Sequence, residues 1–311
     1  MSTETVLLSG AGVSLVATAF GPPDGRTVVM LHGGGQTRHS WAATAHRMAA
    51  EGWRSLAIDL RGHGDSDRAP DADYRTTTFG ADVAAVVRQL DVPVVLLGAS
   101  LGGLAGLLAV ASGDVDAVEG LVMVDVAATL ENSGVDRVRS FMISHADGFD
   151  SLEEVAEALA AFNPDRARPA NLEGLRKNVR RGEDGRWYWH WDPAFMWHTD
   201  PGTGVVSVRQ TLDPAVLEAA ARAVHVPTLL VRGRRSDMLS EDGARELLAC
   251  LPNATYADVA GAGHTVAGDD NDPFADVVAR FVAGLPGWGR SSSSRDTDAR
   301  PTPGRSHPPD A

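Results

Sequence analysis

Short apolar runs separated by amphipathic segments are the feature that most restricts how this sequence can fold. Six runs rich in Val, Leu and Ile lack polar alternation, as expected of strands buried on both faces. They lie at 27–31, 54–58, 94–97, 120–124, 227–231 and 255–259. Helical spacing of apolar residues fills intervals at 41–50, 79–90, 101–111, 241–250 and 273–284. This alternation predicts βαβ units, and so an α/β fold with a mostly parallel central sheet flanked by helices.

The alternation stops between residues 127 and 223, which divides the chain into a core and an insertion. We predict a core of 1–126 and 224–285, opening with a hairpin, and a helical cap of 127–223, because a structureless loop of that length would be improbable. The segment 286–311 contains the run Ser291–Ser294 and is rich in polar residues and proline. We therefore expect a disordered tail there.

Composition narrows the classes of partner. The formal net charge of -13 argues against non-specific nucleic-acid binding. No apolar stretch approaches the length of a membrane helix, and the first residues lack the basic region of a signal peptide. The single cysteine, Cys250, excludes an internal disulfide framework. We expect a cytoplasmic protein, a monomer or homo-oligomer, that acts on a small molecule and binds neither nucleic acid nor membrane.

A candidate nucleophile lies in the pentapeptide Gly98-Ala99-Ser100-Leu101-Gly102, which matches G-x-S-x-G. Such a match arises by chance roughly one time in five in a chain of this composition, so its context must decide. The motif follows a predicted strand and begins a predicted helix. A sharp turn there would expose the serine hydroxyl, and the flanking glycines would let strand and helix pass closely. We therefore predict that Ser100 is a nucleophile.

A second motif, His32-Gly33-Gly34-Gly35, follows the early strand at 27–31. The chain also has the serine motif, an aspartate after a late strand and a histidine near its end. Through these four features it resembles the serine-nucleophile branch of the α/β-hydrolase superfamily over about 27–285. The resemblance implies an oxyanion hole formed by the backbone N–H groups of Gly34 and Leu101. It also implies that His32 has a structural role in the loop.

The same resemblance implies that His264, in a loop of small residues, is the general base. The orienting acid has two candidates. Asp237 follows a strand, a glycine and a short turn, the commoner arrangement in the family, and Asp125 ends the run 120–124. We take Asp237 as the acid and Asp125 as the alternative, and we expect the other carboxylate to lie near the site.

Two further segments have both a functional and a structural interpretation. Large side chains crowd 187–198, and we select four as pocket candidates: Trp189, Trp191, Met196 and Trp197. The same residues are equally consistent with plain packing of the cap onto the core. The basic run 176–181 would steer an anionic substrate, although such runs are more often solvated helix faces.

The segment 59–67 resembles a structural turn of the family, in which Arg61 and Ser66 tie loops together.

The resemblance implies hydrolysis of a carboxylic ester, a lactone or a related small acyl compound through an acyl-enzyme. Cofactor-free haloperoxidases, better described as perhydrolases, and carbon–carbon bond hydrolases use the same triad and remain alternatives. The loop residues Gln36 and Thr37 depart from the pattern usual in carbon–carbon bond hydrolases. Epoxide hydrolases and haloalkane dehalogenases use an aspartate nucleophile. Position 100 is a serine in this chain, so neither activity is favoured. A non-catalytic small-molecule receptor is a further alternative. No phosphate-binding fingerprint or zinc spacing is present, so neither a cofactor nor a metal is implied.

Overall fold

The computed structural model describes residues 3–164, 171–199, 202–203, 206–208, 213–260 and 272–287. Its strands, in chain order, are β1 (Glu4–Ser9), β2 (Ser14–Phe20), β3 (Thr27–Leu31), β4 (Arg54–Ile58), β5 (Val94–Ala99), β6 (Val118–Val124), β7 (Val179–Arg181), β8 (Trp187–Trp189), β9 (Trp197–Thr199), β10 (Val206–Val208), β11 (Thr228–Gly233) and β12 (Ala254–Val259). Its α-helices are α1 (Ala42–Ala50), α2 (Thr76–Leu90), α3 (Leu101–Ala111), α4 (Asn132–Ile143), α5 (Leu152–Phe162), α6 (Pro214–Ala223), α7 (Glu241–Cys250) and α8 (Asp272–Gly284). Short 3₁₀ turns span Arg38–Trp41, Leu172–Lys177 and Pro193–Phe195.

Eight strands form one sheet in the order β1-β2-β4-β3-β5-β6-β11-β12. The first hairpin and the β2–β4 pair are antiparallel, and the remaining pairs are parallel. The strand order reverses around β3, so the carboxyl ends of β3, β5 and β6 lie side by side at one edge. In open parallel sheets that edge holds the functional residues.

Helices cover both faces of the sheet, which explains why the central strands show no polar alternation. On one face α2, α3, α6 and α7 pack against inward residues such as Val29 and Leu31. On the other, α1 and α8 pack against the alternate residues Val28 and Met30. The sequence prediction of an α/β fold with a mostly parallel, doubly covered sheet is confirmed.

The segment between β6 and β11 differs in detail from the helical cap predicted for 127–223. Besides α4 and α5 it contains two antiparallel pairs, β7 with β8 and β9 with β10. Trp187 and Trp189 face a separate apolar cluster formed with α4 and α5, while Tyr188 between them is more exposed, so a short strand alternation lies within the aromatic run. Helix α6 packs its Leu217 and Ala221 into the core cluster.

Among the described helices, none has both the length and the apolar character needed to cross a bilayer. The predicted tail, apart from its first two residues, lies outside the described residues.

Candidate active site

Ser100 occupies the sharp turn that joins β5 to α3. Its backbone has φ 47° and ψ -115°, a conformation that costs a non-glycine residue free energy. Its N–H donates to the carbonyl of Val124 at 2.9 Å, which ties the turn to the neighbouring strand β6. The side chain is partly exposed. Strained backbone held in this way presents a hydroxyl above the sheet edge, the arrangement that a nucleophile needs.

The glycines around Ser100 are dictated by backbone packing. A methyl group at Gly98 would clash with the carbonyl of Gly102, and one at Gly102 would clash with the carbonyl of Leu31. Strand β5, helix α3 and the end of β3 therefore approach more closely than any larger residue allows. The sequence motif thus reflects a steric requirement of the turn.

The loop after β3 lies directly against this turn. A methyl group added at Gly33 would be 3.5 Å from Cβ of Ser100, and one at Gly34 would be 4.0 Å from Cδ2 of Leu101. Leu101 is the first residue of α3, so its N–H has no acceptor within the helix and lies at the positive end of the helix dipole. Gly34 and Leu101, the predicted oxyanion donors, are thus brought together beside Ser100.

Two buried histidines hold the glycine loop through backbone bonds. Nε2 of His32 accepts from the N–H of Leu60 at 3.0 Å, so its Nδ1 carries the proton and donates to the carbonyl of Gly33 at 2.8 Å. Nε2 of His63 likewise accepts from the N–H of Gly35 at 3.1 Å. Both nitrogens of His32 are therefore engaged with backbone, which suits a structural role and leaves none for Ser100.

Burial keeps both imidazoles neutral. It lowers the pKa of His32, with a smaller opposing effect from the charge of Asp59. Burial, together with a smaller effect of the nearby His32, lowers the pKa of His63 to about 3. The two rings lie 5.1 Å apart and would repel each other if charged. Neutral histidines are the acceptors that the loop requires.

Asp125 lies at the end of β6, the strand beside β5. It is 1% exposed and has φ 52°. Its carboxylate accepts from the hydroxyl of Ser236 at 2.5 Å and from the N–H of Gly233 at 3.2 Å. Its own N–H donates to the carbonyl of Val231 at 2.7 Å. Ser100 and Asp125 thus follow adjacent parallel strands directly, and both adopt positive φ.

Asp237, the acid preferred from the sequence, is in a different setting. Its side chain is 44% exposed and forms a two-pronged ion pair with Arg137 of α4, at 2.6 Å and 2.8 Å. The pair joins the loop after β11 to the inserted segment. His264, the predicted base, lies outside the described residues; the chain leaves β12 at Val259, beside β11.

A cavity of about 680 Å³ opens at Ser100. Gly33, Gly34, Ser100 and Leu101 line its floor. Three of the four predicted pocket residues line its walls: Trp189, Trp191 and Met196. Trp197 does not line it and is 36% exposed. Trp197 is the first residue of strand β9.

Sequence reasoning missed other wall residues, including several on α4. Val135, Val138, Arg139 and Met142 share one face of α4. Phe195 closes the wall against Gly34 and the ring of His63, whose centroid is 4.9 Å away. The spacing of the four α4 residues was a usable signal, because positions three and four apart lie on one helix face.

A family model for the alpha/beta hydrolase fold matches residues 26–270. That match covers most of the chain and agrees with the sheet order and the serine turn. The protein belongs to the alpha/beta hydrolase fold family.

Its relatives include esterases and lipases. Esterase Rv0045c of Mycobacterium tuberculosis is 29% identical over 226 residues, which cover 71% of this chain and 70% of that protein. A crystal structure of that esterase superposes with a TM-score of 0.68 over 90% of this chain and 91% of the other, at 27% identity. The mouse (Mus musculus) sn-1-specific diacylglycerol lipase ABHD11 is 29% identical over 264 residues, 82% of this chain and 80% of the lipase.

The structure of E-2-(acetamidomethylene)succinate hydrolase has a TM-score of 0.76 over 90% of this chain and 99% of its own. It is 21% identical, so this likeness concerns the fold alone. Together the relatives support a hydrolase of esterase type.

Proposed function

We propose that this protein hydrolyses a carboxylic ester or a related small acyl compound through an acyl-enzyme on Ser100. The observation that carries the proposal is the strained turn at Ser100, whose hydroxyl faces a mostly apolar cavity beside the glycine loop. Positive φ at a non-glycine residue persists only where the surrounding structure enforces it, and such strain concentrates at functional sites. The esterase relatives support the same class of reaction.

In the proposed reaction His264 removes the proton from the Ser100 hydroxyl as its oxygen attacks the ester carbonyl. The N–H groups of Gly34 and Leu101 stabilise the oxyanion of the tetrahedral intermediate. His264 then protonates the leaving alcohol, and the acyl group stays on Ser100. Water, deprotonated by His264, attacks the acyl-enzyme, and His264 then gives that proton to the Ser100 oxygen as the acid leaves.

The base needs a carboxylate that fixes its tautomer and stabilises its positive charge, and we assign this role to Asp125 in place of Asp237. The orienting aspartate of a triad is buried and held by hydrogen bonds. Asp125 meets both conditions through Ser236 and Gly233, next to the strand that bears Ser100. Each carboxylate oxygen has two acceptor sites, so these bonds leave capacity for an imidazole N–H.

Asp237 fails the first condition, because its side chain is 44% exposed. Its half-exposed carboxylate already accepts two N–H groups from Arg137, a pairing that stabilises the charge and reduces what another donor gains. A role in bracing the insertion against the core suits it better.

The proposal is tested with a fluorophosphonate probe and a series of 4-nitrophenyl esters of increasing acyl length. We expect the probe to label Ser100 and Ser100→Ala to lose about 10⁶ in kcat. The matched control is Ser112→Ala at the far end of α3, where the hydroxyl donates to the carbonyl of Ala109. This variant should keep full activity. Turnover that survives unchanged in Ser100→Ala would refute the proposal. A peracid assay on the same samples distinguishes perhydrolysis.

A further inference from the structure

The charge of the cavity at Ser100 opposes the charge of the protein. The chain has a formal net charge of -13 and 41 acidic residues. Among the described residues that line the cavity there is no Asp or Glu, while Arg139 and Lys177 both line it. A cleft whose fixed charges have one sign concentrates ligands of the other sign.

Arg139 extends from the face of α4 that lines the cavity, between Val138 and Met142. Its side chain is 27% exposed. Its carboxylate neighbour is Asp136, 3.9 Å away and largely solvated, and an exposed pair at that distance contributes little. Two residues earlier, Arg137 forms the close two-pronged pair with Asp237. Helix α4 therefore carries two arginines with different surroundings. Arg137 is held in an ion pair with Asp237, whereas the charge of Arg139 at the cavity is only weakly compensated.

Lys177 ends the 3₁₀ turn Leu172–Lys177, and its ammonium has no ion-pair partner within the described part of the chain. Its carbonyl accepts from the hydroxyl of Thr37 at 3.4 Å, which holds the turn against the segment after the glycine loop. The pKa of His39, which also lines the cavity, is lowered mainly by burial. The charges of Arg38 and, to a smaller extent, of Lys177 lower it as well. The adjacent Arg176, in contrast, pairs with Glu173 at 2.5 Å outside the cavity.

We propose that the substrate is an anionic ester whose carboxylate is bound by Arg139 and Lys177 while its ester carbonyl lies at Ser100. This inference rests on the proposed function and names its substrate class. Asn163 and Asn178 line the same cavity and offer neutral amide donors. The remaining walls are mainly apolar, and exclusion of water there strengthens attraction between charges. A cavity of about 680 Å³ is large enough for an acyl chain between the two groups.

The test compares the mono-4-nitrophenyl ester of adipic acid, which carries a free carboxylate, with its neutral methyl ester, and follows release of 4-nitrophenol from both. We expect kcat/KM to be higher for the free acid, and the preference to fall with added salt. Arg139→Gln and Lys177→Gln should each reduce the preference by roughly tenfold, since each removes a charge-assisted hydrogen bond. Both variants should lose less kcat/KM on the neutral methyl ester than on the free acid, since only the free acid carries the charge that they bind. Arg139→Glu should reverse the preference.

Arg222→Gln is the matched control, because it removes one positive charge from α6, where Arg222 pairs with Glu218. It should leave the preference for the free acid unchanged. If the control lost as much of that preference, the effect would come from the net charge of the protein, and the inference would be overturned. Equal turnover of both esters by the wild type, with Ser100 still labelled, would also overturn it but not the proposed function. Failure of the wild type to cleave either ester, together with no labelling of Ser100, would overturn the proposed function itself.

Discussion

The guanidinium of Arg137 holds both carboxylate oxygens of Asp237, at 2.6 Å and 2.8 Å, across 100 positions of sequence. The same arginine donates to the carbonyl of Phe162 at 3.1 Å and lies over its ring. One side chain thus connects α4, the end of α5 and the loop after β11. The ion pair engages both carboxylate oxygens of Asp237 and joins the inserted segment to the core.

This relationship predicts a contrast between two isosteric substitutions. Asp125→Asn should reduce kcat by about 10³- to 10⁴-fold, because the amide cannot stabilise the imidazolium and favours the wrong tautomer. Asp237→Asn should cost at most about 1 kcal/mol of stability, as expected for a half-exposed ion pair, and change kcat only a few-fold. Steady-state kinetics on a 4-nitrophenyl ester and urea unfolding of each variant measure both effects. Large loss in Asp237→Asn with Asp125→Asn spared would restore Asp237 as the orienting acid.

The neutral state of His63 predicts a pH dependence of stability. Its pKa is about 3 in the folded protein against an ordinary 6.5, so between these values the unfolded chain binds a proton that the folded chain does not. The contribution is fully present above about pH 6.5 and is lost as the pH falls, by about 1.4 kcal/mol per unit. His63→Gln keeps an acceptor for Gly35 without a titrating ring. Urea unfolding at pH 7 and pH 5 should give a shallower dependence in the variant, and identical slopes would contradict the explanation.

Much of this architecture was predictable because buried parallel strands have a strong signature. The predicted helices at 101–111 and 241–250 and strands at 27–31 and 54–58 agree with α3, α7, β3 and β4. The serine turn was predictable for a related reason, since glycines are required where backbones nearly touch.

The different surroundings of the two aspartates were not predictable from local sequence. Both follow a strand and both suit a turn. Their surroundings differ: Asp125 is buried and accepts from the hydroxyl of Ser236, whereas Asp237 is half exposed and forms an ion pair with Arg137, 100 positions away. The absence of Trp197 from the cavity lining was not predictable either, because it lies in the same aromatic run as Trp189 and Trp191, which do line the cavity.

The close contact of β3, β5 and α3 predicts a strong steric effect at Gly102. Alanine there would place a methyl group against the carbonyl of Leu31, and the backbone would have to move. We expect a loss of about 3 kcal/mol or more in stability. Gly284→Ala, at the end of α8 with open space around it, is the control and should stabilise slightly. Thermal unfolding followed by circular dichroism compares them, and similar melting temperatures for the two variants would contradict the steric argument.

The last prediction compares Trp191, which lines the cavity, with Trp197, which does not. Trp191 is buried, stacks on Trp189 at a centroid distance of 4.8 Å and lines the cavity, whereas Trp197 does not line it. Trp191→Phe enlarges the cavity and should shift the preferred acyl length upward. The relative kcat/KM should change by about tenfold, the lower end of what one methylene contributes in an apolar pocket. Trp197→Phe makes the same chemical change outside the cavity, so its acyl-length profile should match that of the wild type. The profile across 4-nitrophenyl esters from acetate to octanoate measures both variants. A shift of equal size in Trp197→Phe would mean that the fold, and not the cavity wall, sets the preference.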